Sequence, residues 1–206
     1  MRVRFLLICE GSSDAALVAH IQALLIECGA SEADGAASFR GRRVRDKVRL
    51  GLQYYGSVNL LFVHRDADRA NPDTRYGEIR QGVSAAGFEG RWIGVVPVRM
   101  MEAWLLADEA AIRRVAGRPR GTEPLDLPAP HELESVPDPK RTLRDVLMKA
   151  GAPRGVRRRK RLDAEFGNLR KQLAENLPPG GLLEQVPAWS RFRDDVAFAM
   201  GTAIDR

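Results

Sequence analysis

The chain's succession of elements predicts an α/β fold, a parallel sheet flanked by helices with a helical C-terminal extension. Short apolar runs of β-type residues alternate with stretches of helical period up to about residue 115. One run, Leu60-Leu61-Phe62-Val63, is apolar throughout, as a strand buried on both faces must be. After residue 117 only helical patterns remain.

Val3 to Cys9 reads as the first strand, and Glu10-Gly11-Ser12-Ser13-Asp14 as the turn out of it. Ser12 or Ser13 is placed to cap a helix whose apolar positions, Leu17, Val18, Ile21, Leu24, Leu25 and Cys28, recur at helical period. A short second strand is expected around Ala36 to Phe39. Phe39 to Tyr55 follows as an amphipathic helix with a basic outer face. Val58 to Val63 is the central strand. Asn71-Pro72-Asp73 makes a turn into a helix over 75–86, Trp92 to Val98 is a further strand, and a helix runs from Glu102 to about Val115.

Gly117 to Pro139 is proline-rich and poor in apolar residues, which marks an extended connection. The expected division is therefore a core over 1–116 and a connection with basic helices over 117–206, packed on that core. Helices are expected at 141–150, at 164–175 and from Trp189 to Ala203, with Leu177-Pro178-Pro179-Gly180-Gly181 breaking the last two apart.

Charge limits the partners. Lys and Arg outnumber Asp and Glu by 33 to 27, a net charge of +6, which favours a polyanion, nucleic acid before membrane. No stretch is long and apolar enough to span a bilayer. Two cysteines, Cys9 and Cys28, fit buried thiols in a reducing cytoplasm better than a disulfide framework. The excess is concentrated in residues 40–49 and 154–161; six of the eight residues from Arg154 to Arg161 are basic, more than solubility requires. Few aromatics interleave, so stacking on single strands is not indicated.

The chemistry is read from acids at strand ends. The central strand runs into His64-Arg65-Asp66-Ala67-Asp68-Arg69, the first strand into Glu10, and the Trp92–Val98 strand is followed by Glu102. In a parallel sheet these ends share one edge, where open α/β sheets bind ligands. Adjacent carboxylates repel unless a cation lies between them, and Mg²⁺ takes one or two carboxylates together with phosphate oxygens. The bland alternatives are that Asp66 and Asp68 cap the next helix and that Glu102 complements a helix dipole. Asp108 falls about 240° around from Glu102 on a continuous helix, on the solvated side. His20, His64 and Trp104 read as structural, with a supporting role also open to His64, which sits beside the acids.

These motifs carry a resemblance. Glu10-Gly11-Ser12-Ser13-Asp14 before a helix, with Asp66-Ala67-Asp68 ending an apolar strand, resembles the Toprim domain of type IA and II topoisomerases, DnaG-type primases, RecR-type repair proteins and OLD-family nucleases. Together with Met101-Glu102-Ala103-Trp104-Leu105-Leu106-Ala107-Asp108, the first motif is similar to the small stand-alone Toprim-like proteins of the DUF4276 family, bacterial proteins sometimes encoded beside defence ATPases. The likeness covers roughly residues 3–115.

The resemblance implies a Toprim-like, Rossmann-like sheet and a Mg²⁺- or Mn²⁺-dependent phosphoryl transfer. Glu10 would be a metal ligand or general acid/base, Asp66 and Asp68 the metal pair, and Glu102 a supplementary ligand, with Asp14 supporting the first turn. Arg42, Arg43, Arg65, Arg69, Arg157, Arg158, Arg159, Lys160 and Arg161 are the candidate phosphate contacts. Tyr54, Tyr55 and Tyr76 lack a strand-cleaving motif, which argues against a topoisomerase. Two classes stay open: a nuclease, in a bacterial defence setting, or a non-catalytic nucleic-acid- or protein-binding component working with a partner ATPase.

Overall fold

The structure is a computed structural model and describes residues 1–68, 70–176 and 181–201. Four strands, β1 (Arg2–Ile8), β2 (Glu32–Ser38), β3 (Leu60–His64) and β4 (Arg91–Val95), form one sheet in the order β2-β1-β3-β4. Every pairing is parallel. The protein is an α/β fold with a parallel sheet flanked by helices. After β1 the chain moves outward to β2, then returns to place β3 on β1's other side. The strand order therefore reverses between β1 and β3, and the crevice beyond their carboxyl ends is the place where such sheets take ligands.

Side chains alternate across the sheet with period two. Leu6, Ile8, Leu61 and Val63 face one side, where Val44 and Val48 of α2 (Val44–Tyr55) and Ile79 and Val83 of α3 (Pro72–Ala85) cover them. Val3, Phe5, Leu7, Leu60 and Phe62 face the other side, against α1 (Leu17–Glu27). The same apolar cluster continues into α4 (Glu102–Leu105), α5 (Glu109–Val115), α6 (Pro139–Gly151), α8 (Phe166–Glu175) and α9 (Pro187–Met200). Its centre is a set of edge-to-face aromatic contacts: Trp104 on Trp189 at 5.2 Å, Trp189 on Phe192 at 5.6 Å, and Phe192 on Phe62 at 6.1 Å. Each large apolar side chain buried here contributes about 1.5–3 kcal/mol of transfer free energy.

Several expected boundaries move, each for a physical reason. β2 covers Glu32–Ser38 and not residues 36–39. Its small residues carry little β signal, yet Gly35 is required where it stands, since a Cβ there would lie 2.0 Å from Cζ of Phe5. The helix expected from Phe39 begins only at Val44, after a turn at Gly41 with φ of +110°. The helix expected from Glu102 to Val115 is two: Asp108 leaves the helical region and its carboxylate accepts the Ala111 N–H at 2.9 Å, capping α5. Asp108 is thus a cap, not a solvated residue of a continuous helix. The basic block at 154–161 forms most of an extra helix, α7 (Val156–Ala164), without a buried residue. The proline-rich connection contains a short 3₁₀ turn, Pro130–Ser135, and sends Leu125 and Leu133 into the core. The break expected at Leu177–Gly180 and the last residues of the final helix lie outside the described residues. Among the described residues no helix is long and apolar enough to cross a membrane, and Cys9 and Cys28 are buried free thiols.

Candidate acidic site at the sheet's carboxyl edge

Beyond His64 the chain stays extended against the segment that follows β4: Arg65 N–H donates to Val95 O and Ala67 N–H to Pro97 O, both at 3.0 Å. Ala67 is buried in the α2/α3-side core, so Asp66 points the opposite way, over the carboxyl edge. Its Oδ1 accepts the backbone N–H of Met101 at 3.0 Å and lies 3.4 Å from Nε2 of His64. Both contacts fall on one oxygen, so the other is the one with capacity for a cation. Period-two alternation would put Asp68 beside Asp66. Asp68 instead turns into the left-handed region at φ 54°, which aspartate tolerates better than most residues. Its carboxylate sits 3.4 Å from Arg75.

Glu10 follows β1 after a single residue, Cys9. Its Oε1 is 2.8 Å from Nε of Arg65, whose Nη2 is 3.2 Å from Glu78. Glu78 also meets Arg75 at 3.0 Å. Charges therefore alternate from Glu10 through Arg65, Glu78 and Arg75 to Asp68. The carboxyl of Glu10 is held above its usual range, first by burial and next by the negative charge of Asp66, with Arg65 and His64 pulling the other way and Asp68 adding a smaller repulsion. Glu10 and Asp66 thus both lie at the carboxyl edge of β1 and β3, and the charge of Asp66 bears on Glu10 more strongly than that of Asp68.

His64 is the side chain that sequence reasoning underrated. It is fully buried between two carboxylates, with Nδ1 3.7 Å from Asp14 and Nε2 3.4 Å from Asp66. Burial alone would push the imidazole down; Asp66, Asp14 and Glu10 outweigh it and hold the ring above its ordinary value. Asp14 is itself fixed by the Gly11 N–H at 2.9 Å and the Ser13 hydroxyl at 3.2 Å. It also lies 3.4 Å from Arg170 on α8.

Glu102 does not join the metal candidates as a free ligand. It is 3% exposed, and its Oε1 lies 2.8 Å from Nε of the same Arg170. Burial raises its carboxyl and Arg170 opposes that, while Asp66 adds repulsion from nearby. Arg170 therefore clamps Asp14 and Glu102 from the C-terminal region.

A second missed residue, Lys47, donates from Nζ to the carbonyls of Cys9 at 2.6 Å and Glu10 at 3.1 Å, ordering the end of β1. Burial lowers its ammonium, with Glu10 opposing. A cavity of about 290 Å³ opens here, bounded by Ile8, Glu10, Arg42, Lys47, His64 and Arg65. A shallower trough continues from it past Arg42, Arg43 and Arg45 toward α3. Arg157, Arg158, Arg159, Lys160 and Arg161 lie elsewhere, exposed on α7. Arg69 is outside the described residues. Cys9 is no nucleophile, because burial pushes its thiol up to about 12.

Among the described residues no three His, Cys, Asp or Glu side chains are grouped to hold a metal unaided. The Glu10 and Asp66 carboxylates are nonetheless hard oxygen donors of the kind Mg²⁺ or Mn²⁺ takes one or two at a time, the remaining positions going to water and phosphate. The fold and these residues define an α/β protein with an acidic edge framed by cations. Comparison with protein-family models, with curated proteins and with solved structures finds no match.

Proposed function

We propose that this protein is a Mg²⁺- or Mn²⁺-dependent phosphoryl-transfer enzyme acting on nucleic acid, a nuclease of Toprim type that serves in a bacterial defence setting. One observation carries the reading: Glu10 and Asp66 both stand at the carboxyl edge where the strand order reverses, with the negative charge of Asp66 felt at Glu10, and Arg42, Lys47 and Arg65 line the cavity beside Glu10. That is a surplus of negative charge which a divalent cation relieves, beside positive charge which a phosphate relieves. A bound cation would polarise a phosphoryl oxygen and lower the pKa of water bound to it.

Glu10 and Asp66 are the residues that would hold it. Asp68, half exposed and paired with Arg75, would take a supporting part, and buried Glu102 would act through Arg170. Arg65 and Arg42 orient a phosphate against the edge and offset charge developing on it. His64 holds Asp66 in place from beneath.

A second reading has its own support. Glu10 is already paired with Arg65, and no three-ligand cluster exists among the described residues. A non-catalytic component that binds nucleic acid or protein beside a partner ATPase would need no more than this. Titration with Mn²⁺ followed by electron paramagnetic resonance separates the two. The enzyme reading expects wild type to bind Mn²⁺, and Glu10→Gln and Asp66→Asn to lose it. Mn²⁺ affinity unchanged by both substitutions, or absent throughout, would favour the component.

A further inference from the structure

The two basic tracts flank the acidic edge from opposite sides of the sheet. Arg42 and Arg43 precede α2, at the carboxyl edge on the α2/α3 face, and share the cavity and trough with Glu10 and Arg65. The second tract belongs to α7, and the packing of α8 fixes where it stands. Arg170 reaches Asp14 just before α1, and four residues on the carbonyl of Ala174 meets Nε2 of His20 at 2.6 Å in the second turn of α1. The two helices therefore run in the same direction, away from the carboxyl edge. The N-terminal end of α8 accordingly stands at that edge, on the side of the sheet opposite α2, and α7 joins it through Glu165 while packing on α6, where Asp163 meets Arg144 at 3.3 Å. Arg170 follows Arg161 by nine positions, across the break at Glu165; at helical rise that is about 14 Å, or about four nucleotide steps of a stacked strand.

α7 packs on the core through Leu162, and packing gives no reason for its run of cations. None of its residues is fully buried, and consecutive Arg157, Arg158, Arg159, Lys160 and Arg161 repel one another; among the described residues Arg161 alone of these meets a carboxylate, Glu165, at 2.9 Å. A polyanion laid along this run would relieve that repulsion.

We infer that a polynucleotide crosses the carboxyl edge from the α2 tract to α7, so that the acidic site acts on internal phosphates and needs no strand end. This rests on the nuclease reading for its chemistry but not for its path. The path is tested by the salt dependence of binding to a labelled single strand long enough to span both tracts, with the full chain. Arg42→Gln/Arg43→Gln and Arg157→Gln/Arg158→Gln/Arg159→Gln/Lys160→Gln should each reduce the slope of log affinity against log salt, by about 0.7 for every phosphate contact removed, and the combined variant should add them. An unchanged slope for either set, with circular dichroism showing a folded protein, overturns the path.

Cleavage supplies the second arm. With Mn²⁺, covalently closed circular DNA should be cut as readily as linear DNA of the same sequence. Linear DNA cut and circles spared overturns the inference and leaves the nuclease reading standing. Cleavage of neither, with both slopes reduced, overturns the nuclease reading and supports the path.

Discussion

Arg170 is the residue on which the site's internal balance turns. It lies between two carboxylates, Asp14 and Glu102, that are nearly inaccessible to water, and removing it takes the guanidinium from both, leaving Asp14 with His64. Arg170→Met should destabilise the fold by about 3–5 kcal/mol, read as a lower denaturant midpoint, and Arg170→Met/Glu102→Leu should recover part of that loss. His20 gives a pH signature. Burial lowers its imidazole below the ordinary 6.5 while Ala174 O opposes, so the unfolded chain binds the proton more readily. His20 therefore imposes no protonation penalty above about pH 6.5, and stability is lost as pH falls through that value toward the lower folded one. Unfolding midpoints at pH 7.5 and 5.5 should differ less in His20→Gln than in wild type. At this scale Glu10 and Asp66 are legible in the sequence because an apolar run stops abruptly at each. His64 is legible only in part, as a polar residue beside the second stop, and Lys47 reads only as one cation of a basic tract 37 positions from Glu10. Arg170 is not legible: its partner Asp14 is 156 positions away, and no local pattern marks a helix arginine as buried.

Among the elements, α2 and α3 determine where the first basic tract lies. Their approach depends on Gly82, where a Cβ would fall 2.5 Å from Cβ of Val44. Gly82→Ala should cost about 1–3 kcal/mol through overpacking and, by displacing the start of α2, weaken polyanion binding beyond what stability explains; calorimetry and binding on the same preparation would show it. α7 makes the opposite case. Because none of its residues is fully buried, replacing Arg157, Arg158 and Arg159 by Ala should shift stability by no more than about 0.5 kcal/mol while reducing affinity for nucleic acid. The strands with apolar runs, β1, β3 and β4, were readable within a few residues. β2 was read only at its end, because its alanines and glycine serve close packing against Phe5 and carry no β preference. The division of the Glu102–Val115 helix was hidden because Asp108 fits a helix surface as well as a cap until its backbone angles are known.

Across the whole molecule, one apolar cluster joins the sheet to the C-terminal helices. Trp104 and Trp189 meet within it, so unfolding followed by tryptophan fluorescence and by far-ultraviolet circular dichroism should coincide in one transition. The parallel sheet was legible from alternation of elements. The position of the helices after residue 117 was not, because it is set by side chains such as Arg170, Trp189 and Phe192, whose partners lie in the first half of the chain. The site reflects that arrangement: its acids come from the sheet, and its clamp comes from the last third. The proposed activity of this edge is phosphoryl transfer on nucleic acid. Cleavage with Mg²⁺ or Mn²⁺ by wild type, Glu10→Gln and Asp66→Asn tests it most directly. Cleavage by wild type, reduced to the protein-free background in both folded variants, is the result expected. Equal cleavage by all three, or none by wild type with either metal, would contradict it.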